Sequence, residues 1–226
     1  AYRSQMKYQK AFSEGKFKIG EELMRVEIPQ KKGAPIIFER DEFPRPDTTL
    51  EKLSQLPLIY GSPTVTAGNA PGLDAGSSAV LIMSRKKAEE KGLQPLAEII
   101  SMVPTATAPR LLAATPGFTI QKVLEKAHMN LDQVDLIEIN EAFAAVPLVS
   151  TKILADGDSD RMESLLQKTN VNGGAIAIGH PVGASGGRIL MTLIYELRRR
   201  GGGMGVASIC GGLAQGDGAV VQVDRP

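Results

Sequence analysis

Residues 171–189, "VNGGAIAIGHPVGASGGRI", gather glycines around one of only two histidines in the chain. Five glycines lie between Gly173 and Gly186, although the stretch "GGAIAI" otherwise looks like a buried strand that runs into a helix. Glycine lets a ligand or another backbone come close, at the cost of side-chain packing. Pro181 and the flanking glycines restrict the backbone at His180 and leave its ring open to approach. We therefore predict a functional His180 just after a strand.

The composition excludes several classes of protein. The 226-residue chain has 26 basic and 25 acidic residues and a net charge of +1, so nothing predicts a nucleic-acid or membrane surface. Its one cysteine permits no internal disulfide, which fits a reducing compartment, and we expect a cytoplasmic protein. No cluster of metal-ligand residues is visible. The first residues lack an initiator Met and begin inside a helical pattern, which favours a chain cut from a longer one.

Strand-like and helix-like segments alternate along most of the chain. Apolar runs predict strands at 23–29, 35–40, 77–84, 96–103, 135–139, 173–178, 204–209 and 218–223, the last two forming a hairpin. Helical periodicity or capping predicts helices at the start, near Asp47 or Thr48, before Gly92, around 120–127, over 141–154 and around 190–197. This alternation predicts a layered α/β fold with helices on the faces of a sheet.

Three residues whose side chains could take part in catalysis follow predicted strands. They are Asn140, His180 and Cys210. Ligands of layered α/β folds bind at the carboxyl ends of strands, so these residues could meet at one rim of the sheet. Each of two has a simpler interpretation, because Asn140 could only cap a helix and Cys210 could be a small buried apolar residue. His128 lies at a helix carboxyl terminus, where a cation suits the dipole, and we assign it no chemistry.

Two familiar motifs are excluded. The run Gly183 to Gly187 matches the G-x-S-x-G pattern of a hydrolase, but no histidine follows Ser185, as that mechanism requires. The run "GHPVGASGG" does not have the spacing of a dinucleotide-binding fingerprint.

Four segments resemble signatures of the thiolase family. They are "TVTAGNAPGLDAG" at 64–76, "NEAFAA" at 140–145, "NGGAIAIGHPVGASG" at 172–186 and the Cys-Gly-Gly turn at 210–212. Their order and spacing agree across essentially the whole chain, and the histidine motif is highly specific. The resemblance covers only the latter part of a thiolase, since the half with the nucleophilic cysteine does not lie within these residues.

The resemblance implies an architecture and partners. It implies a thiolase-like layered fold in which a mixed five-stranded sheet has helices on both faces. Residues 1–62 would be the remainder of the loop domain that contacts coenzyme A, 63–95 the closing strand and helix of the amino-terminal domain, and 96–226 the carboxyl-terminal domain. The strand at 77–84 would pair with the other half, on another polypeptide or in a removed part of this one. The complete enzyme would be a homo-oligomer.

The resemblance also implies a chemistry, in which an acyl group passes between coenzyme A thioesters through an acyl-cysteine intermediate. The coenzyme A thioester would be a substrate, with no tightly bound cofactor or metal. By this resemblance, His180 would activate the nucleophilic cysteine and Asn140 would bind a water of the oxyanion hole. Cys210 would transfer the proton at the acetyl Cα. The backbone N–H of Gly212 would be a further oxyanion-hole donor. A thiolate base needs a lowered pKa, which we expect for Cys210. The implied coenzyme A contacts are Arg45, Ala67, Gly68 and Phe143.

Two positions depart from the family pattern, and two other interpretations stay open. Pro71 stands where relatives often have serine in the loop that touches pantetheine, and Leu213 stands where many have glycine. A related condensing enzyme should carry a second catalytic histidine, for which His128 lacks the context. A non-catalytic coenzyme A-binding or structural subunit would have no use for the Asn140, His180 and Cys210 set.

Overall fold

The computed structural model describes residues 1–225. Its strands are β1 (Val26–Ile28), β2 (Ile36–Phe38), β3 (Glu98–Ala106), β4 (Leu136–Ile139), β5 (Gly203–Cys210) and β6 (Gln215–Val223). Its α-helices are α1 (Tyr2–Ser13), α2 (Leu50–Ser54), α3 (Arg85–Glu90), α4 (Thr115–Lys126), α5 (Ala145–Leu154), α6 (Ser159–Gln167), α7 (Ala175–Ile178) and α8 (Ser185–Arg199). Two short 3₁₀ helices span Pro109–Ala114 and Leu131–Gln133.

The core of the fold is a mixed sheet with the strand order β3-β6-β5-β4. Strand β6 pairs antiparallel with β3 and β5, as the predicted hairpin requires, while β4 and β5 run parallel. Parallel pairing brings the carboxyl ends of β4 and β5 to the same edge, with Ile139 opposite Ser208. Asn140 and Cys210 therefore lie at the same edge of the sheet.

The sheet has four strands rather than the expected five. Beside β4, Thr169 forms only a single parallel bridge with Ile137. The next residue, Asn170, has a φ of +47° and turns the chain out of the β conformation. Its side-chain amide instead bonds the backbone N–H and carbonyl of Ile139, each at 2.8 Å. The Asn170 side chain thus forms the hydrogen bonds to β4 that the backbone of a fifth strand would have formed.

Helices cover both faces of the sheet, which confirms the layered α/β prediction. On one face α4 and α5 bury Ile120, Val123 and Val146 against β5 and β6. On the other face α8 buries Leu193 and Leu197. The apolar stripes expected around 120–127 and 190–197 are therefore the core-facing sides of α4 and α8. Helix α6 was not predicted, because only Leu165 of its nine residues is buried; its signal is Asp158, which caps its first turn.

The strand expected at 173–178 is wrong, because this segment forms the short helix α7. Gly173 and Gly179, at φ +81° and +95°, bracket it in the left-handed region that glycine tolerates best. Between them, Ala177 and Ile178 donate backbone hydrogen bonds to the Gly174 carbonyl at 2.9 and 3.1 Å. His180 consequently follows a helical turn and not a strand.

The strand expected at 77–84 is also not formed. A strand needs a neighbour that bonds its backbone groups. This segment has no β-pairing with any of residues 1–225 and therefore forms no strand. Its apolar side chains stay in solvent, with Leu81 and Ile82 exposed by 81% and 65%. The expectation that the other half of the protein supplies that neighbour stays a prediction.

The elements upstream largely follow the prediction. The helix at the start is α1, the two short strands pair as β1 and β2, and α3 ends two residues before Gly92. Helix α2 begins slightly later than expected, because the Thr49 side chain accepts the Lys52 N–H and makes Thr49 the cap. Among residues 1–225, no helix is both long and apolar enough to cross a membrane. The same residues contain no group of acidic, histidine or cysteine side chains that could hold a metal ion.

Candidate active site

His180 is held by hydrogen bonds at both ring nitrogens. Its Nδ1 lies 2.6 Å from the Ser185 hydroxyl, which in turn donates to the Pro181 carbonyl at 3.1 Å. Because that hydroxyl donates its only proton to the carbonyl, it accepts the hydrogen bond from Nδ1. The ring proton therefore lies on Nδ1. The other nitrogen, Nε2, faces the Asn140 side-chain amide nitrogen at 3.3 Å. Its lone pair is therefore the basic group that the ring presents.

Asn140 is fully buried at the end of β4. Its backbone N–H donates to the Ser208 carbonyl of β5 at 3.0 Å. Its side-chain oxygen is buried and has no hydrogen-bond partner among residues 1–225. A buried acceptor without a donor is costly, so this oxygen is suited to hold a water or a substrate donor. Asn140 does not merely cap α5, whose N-cap is Ala144 without a side-chain bond.

Cys210 is the last residue of β5, at the edge where Asn140 leaves β4. Asn140 bonds Ser208, two residues before Cys210, and also bonds His180. Asn140 and His180 are thus in contact, whereas Cys210 ends β5 at the same sheet edge and packs in the core cluster with Val206 and Val220. Within residues 1–225, Cys210 forms no side-chain hydrogen bond to Asn140 or His180, and its place in one site with them stays a prediction. The expected lowering of the Cys210 pKa is wrong, because burial of the thiol raises its pKa more than a backbone hydrogen bond lowers it, and no cationic side chain among residues 1–225 opposes the rise. At rest this residue is a neutral thiol.

Gly212 offers an unoccupied backbone donor in the turn after Cys210. Gly211 and Ala214 close the turn through backbone bonds, and Leu213 N–H donates to the Gln215 side chain at 2.9 Å. The Gly212 N–H has no acceptor within residues 1–225, and the residue is exposed. Leu213 points into solvent with 70% exposure, which explains why glycine is not required there.

Of the four predicted coenzyme A contacts, Phe143 packs against the core cluster that contains Cys210. Ala67 and Gly68 form a turn in which Gly68 packs against Leu53 and Leu56. The same turn meets the segment of Phe143, since Asn69 accepts the Ala144 N–H at 2.9 Å. Arg45 is exposed, and its backbone N–H donates to Gln5. Within residues 1–225, none of the four bonds to His180, Asn140 or Cys210, and their role stays a prediction.

Burial, helped by one nearby cation, keeps the His180 ring neutral. Burial lowers the pKa of His180 first, the positive charge of Arg188 lowers it further, and Asp74 opposes both. Arg188 lies 3.7 Å from Glu138 on β4. Burial raises the pKa of that carboxyl to about 8, against the attraction of Arg188. His180 is therefore a neutral base at neutral pH.

Sequence reasoning missed three residues that support the site. Ser185 fixes the His180 tautomer, Asp74 bonds the His180 backbone at 3.0 Å, and Glu141 bonds the backbone of α7 at 3.0 Å. A weak signal exists for Asp74, because the low bulk of "GNAPGLDAG" indicates close backbone packing. Ser185 and Glu141 carry no such signal.

Within residues 1–225, a neutral histidine touches a buried amide with an open acceptor, at the edge of an α/β sheet where a thiol and an unbonded backbone N–H also lie. Comparison with known proteins identifies the family. The family model described as "Thiolase, C-terminal domain" matches residues 93–223, and "Thiolase, N-terminal domain" matches residues 1–86. The chain belongs to the thiolase family.

Individual relatives agree with this assignment. The chain is 43% identical to an acetyl-CoA acetyltransferase of Chromobacterium violaceum over 99% of its own length, and 40% identical to a beta-ketoadipyl-CoA thiolase of Acinetobacter baylyi over 98%. Among solved structures, it resembles the acetyl-CoA acetyltransferase of Bacillus anthracis with a TM-score of 0.89 and 40% identity over 99% of the chain. It also resembles human mitochondrial 3-ketoacyl-CoA thiolase in complex with CoA, at 0.82 and 37% over 98% of the chain.

The chain spans about half the length of these relatives. It covers 54% of the Chromobacterium and Acinetobacter proteins and of the Bacillus structure, and 52% of the human structure.

Proposed function

We propose that this chain supplies the proton-transfer and oxyanion-binding part of a thiolase, which transfers acyl groups between coenzyme A thioesters together with its amino-terminal half. That half would bring the nucleophilic cysteine. The observation that carries the proposal is the contact between His180 Nε2 and the Asn140 amide at 3.3 Å, at the sheet edge where β5 ends in Cys210. The names of the relatives, an acetyl-CoA acetyltransferase and a beta-ketoadipyl-CoA thiolase, support the reaction class.

The resting state of His180 suits the first proton transfer. Since Nδ1–H is held by Ser185, Nε2 carries the lone pair, which accepts from the Asn140 amide at rest and can instead take the proton of the incoming cysteine thiol. The resulting imidazolium presents Nε2–H, which can stabilise a thioester oxygen as negative charge develops on it. Asn140 lies beside this position and can hold a water that shares the oxyanion. Donors fixed in advance around developing charge supply a large part of catalysis.

The coenzyme A thioester is a substrate in this proposal, and no resident cofactor is required. Ala67, Gly68 and Phe143 support a binding surface for it, because the Asn69–Ala144 hydrogen bond joins their two segments. Arg45 would meet the nucleotide end. The exposed apolar residues Leu81 and Ile82 support the amino-terminal half as the partner.

The test joins this chain to the part it does not contain. The amino-terminal part of the Chromobacterium violaceum relative is fused ahead of residue 1, and thiolysis of a short 3-ketoacyl-CoA is measured. The fused protein should release two acyl-CoA products, and His180→Asn should lower kcat by about 10²–10⁴. The matched control is His128→Asn, which changes the other histidine, exposed at the end of α4, and should leave kcat unchanged.

A folded fusion that binds coenzyme A without acyl transfer would favour the non-catalytic subunit instead. Equal activity of the two asparagine variants would refute the role of His180.

A further inference from the structure

The backbone of His180 is fastened by a second segment, residues 72–78. Its N–H donates to two acceptors there, the Gly72 carbonyl at 3.1 Å and Asp74 Oδ2 at 3.0 Å. The preceding residue, Gly179, has a φ of +95° and packs directly on the Asp74 carboxylate, which occupies the space that a Cβ would need. Only glycine fits both the conformation and the contact.

The same segment follows the chain on the other side of His180. Gly76 packs on Pro181 so closely that a Cβ would lie 2.8 Å from the proline Cγ. Ser78 donates its hydroxyl proton to the Ala184 carbonyl at 2.9 Å. Residues 72–78 therefore run alongside 179–184, and Asp74 is the one charged group among these contacts.

We propose that Asp74 is a positioning residue that fixes the orientation of His180 toward Asn140 and sets the charge environment of its ring. This inference rests on the proposed function. The half-buried carboxylate bonds the backbone at the point where α7 ends and the chain turns toward the ring. Because the ring has Ser185 on one nitrogen and Asn140 on the other, a rotation of the backbone at His180 would break both contacts.

Two charged side chains act on the His180 ring from the elements packed around it. Asp74, in the 72–78 segment, raises the pKa of His180, whereas Arg188 of α8 lowers it together with burial. Asp41 lies near both Asp74 and Arg188 and interacts with each. A change that removes only the Asp74 charge leaves Arg188 unopposed, so the pKa of His180 should fall further.

Two substitutions separate the charge from the hydrogen bond. Asp74→Asn removes the charge and keeps a side-chain oxygen for the His180 N–H, whereas Asp74→Ala removes both. Asp160→Asn, the same change at an exposed position in α6, is the matched control. The variants are made in the fused full-length protein, and only this chain is labelled with ring-¹³C histidine by segmental ligation. Its two histidines then give two signals, with His128 as the internal reference.

We expect the His180 titration midpoint to move to lower pH in Asp74→Asn, with no change in Asp160→Asn. In Asp74→Ala, the His180 amide should exchange faster with solvent, and kcat should fall about 10- to 100-fold with KM changed less than about threefold, because the ring is misplaced. The midpoint and the exchange rate do not require acyl transfer, so they test Asp74 even if the proposed function is wrong. An unchanged or raised midpoint in Asp74→Asn, or an unchanged amide in Asp74→Ala, would overturn the inference.

Discussion

Glu141 should be one of the most important side chains for the stability of this chain, although we assign it no catalytic role. It follows Asn140 and is 5% exposed. Its Oε2 accepts from the Ser4 hydroxyl at 2.7 Å and from the Ile176 N–H at 3.0 Å, and its Oε1 accepts from Asn170 at 3.3 Å. One carboxylate therefore joins the end of β4 to α1, to α7 and to the segment beside the sheet.

The loss of stability in Glu141→Ala depends on which hydrogen-bond acceptors each of the three donors would keep. The Asn170 amide keeps the Ile139 carbonyl at 2.8 Å, and the Ser4 hydroxyl can rotate toward another acceptor. The Ile176 N–H, in the first turn of α7, would be buried without a partner. An orphaned buried donor costs about 1–3 kcal/mol, and the lost bonds to a charged group add to it. Release of the buried charge offsets part of this loss, so we expect a net destabilisation of roughly 2–4 kcal/mol.

Glu141→Gln should also be destabilising, by about 1–3 kcal/mol, although it keeps shape and volume. One amide orientation points an NH₂ at the Ile176 N–H, and the other points it at the Asn170 side-chain NH₂. The Asn170 amide cannot turn over to accept, because its oxygen and nitrogen are both fixed by Ile139. Either orientation brings two donors together.

The assay is urea unfolding of the fused full-length protein, followed by a signal from this chain, with hydrogen exchange at Ile176 as the local probe. The matched control is Glu163→Ala, which breaks an exposed ion pair between Glu163 and Arg3 of the same helix α1 at 3.3 Å. Exposed pairs contribute about 0–1 kcal/mol, so the control should change little. If Glu141→Ala unfolds at the same urea concentration as Glu163→Ala, the buried carboxylate does not hold these elements together and the reasoning is wrong.

Three further outcomes can be measured on the same fused protein. Cys210→Ala should lower turnover by about 10²–10⁴ while acyl-CoA still acylates the partner half's cysteine, as seen by mass spectrometry; an acyl group on Cys210 of the parent protein would contradict this. Glu138 has a pKa raised to about 8 from an ordinary 4.5, so the native state binds more protons than the unfolded state between these values and the parent loses stability as pH rises through them. Glu138→Gln should remove this loss. Between pH 5 and 8, its free energy of unfolding from urea titrations should rise relative to that of the parent by up to roughly 1.4 kcal/mol per pH unit. A difference that does not change with pH would refute the shift. Gly205→Ala should cost about 1–3 kcal/mol in thermal unfolding, because its Cβ would lie 2.7 Å from the buried Leu193 side chain, and an unchanged melting temperature would show that this packing yields easily.

The sequence was sufficient to predict those parts of the fold that depend on local periodicity. The stripes of α4 and α8 and the β5–β6 hairpin are confirmed, since neighbours in sequence bury one face together. The positions of Asn140 and Cys210 at strand ends follow from the same local patterns.

The parts that local patterns could not predict depend on distant groups. Residues 173–178 are apolar enough for a strand, but their backbone donor at Ile176 is taken by Glu141, 35 residues away. The contact that fixes the His180 backbone comes from Asp74, 106 residues away. The segment 77–84 has the composition of a strand and finds no strand to pair with among residues 1–225. These long-range contacts cannot be predicted from the periodicity of a short segment.

The raised pKa of the Cys210 thiol suggests an order of proton transfers under the proposed function. A thiol that is neutral at rest cannot begin as the base that removes a proton from the acetyl Cα. It can first act as an acid, giving its proton to the coenzyme A thiolate that leaves when the partner half's cysteine is acylated. Under the proposed function, that transfer would convert Cys210 to a thiolate, and only then would a base exist for the second substrate. Under the proposed function, burial of the thiol would delay the base until the acyl group is in place.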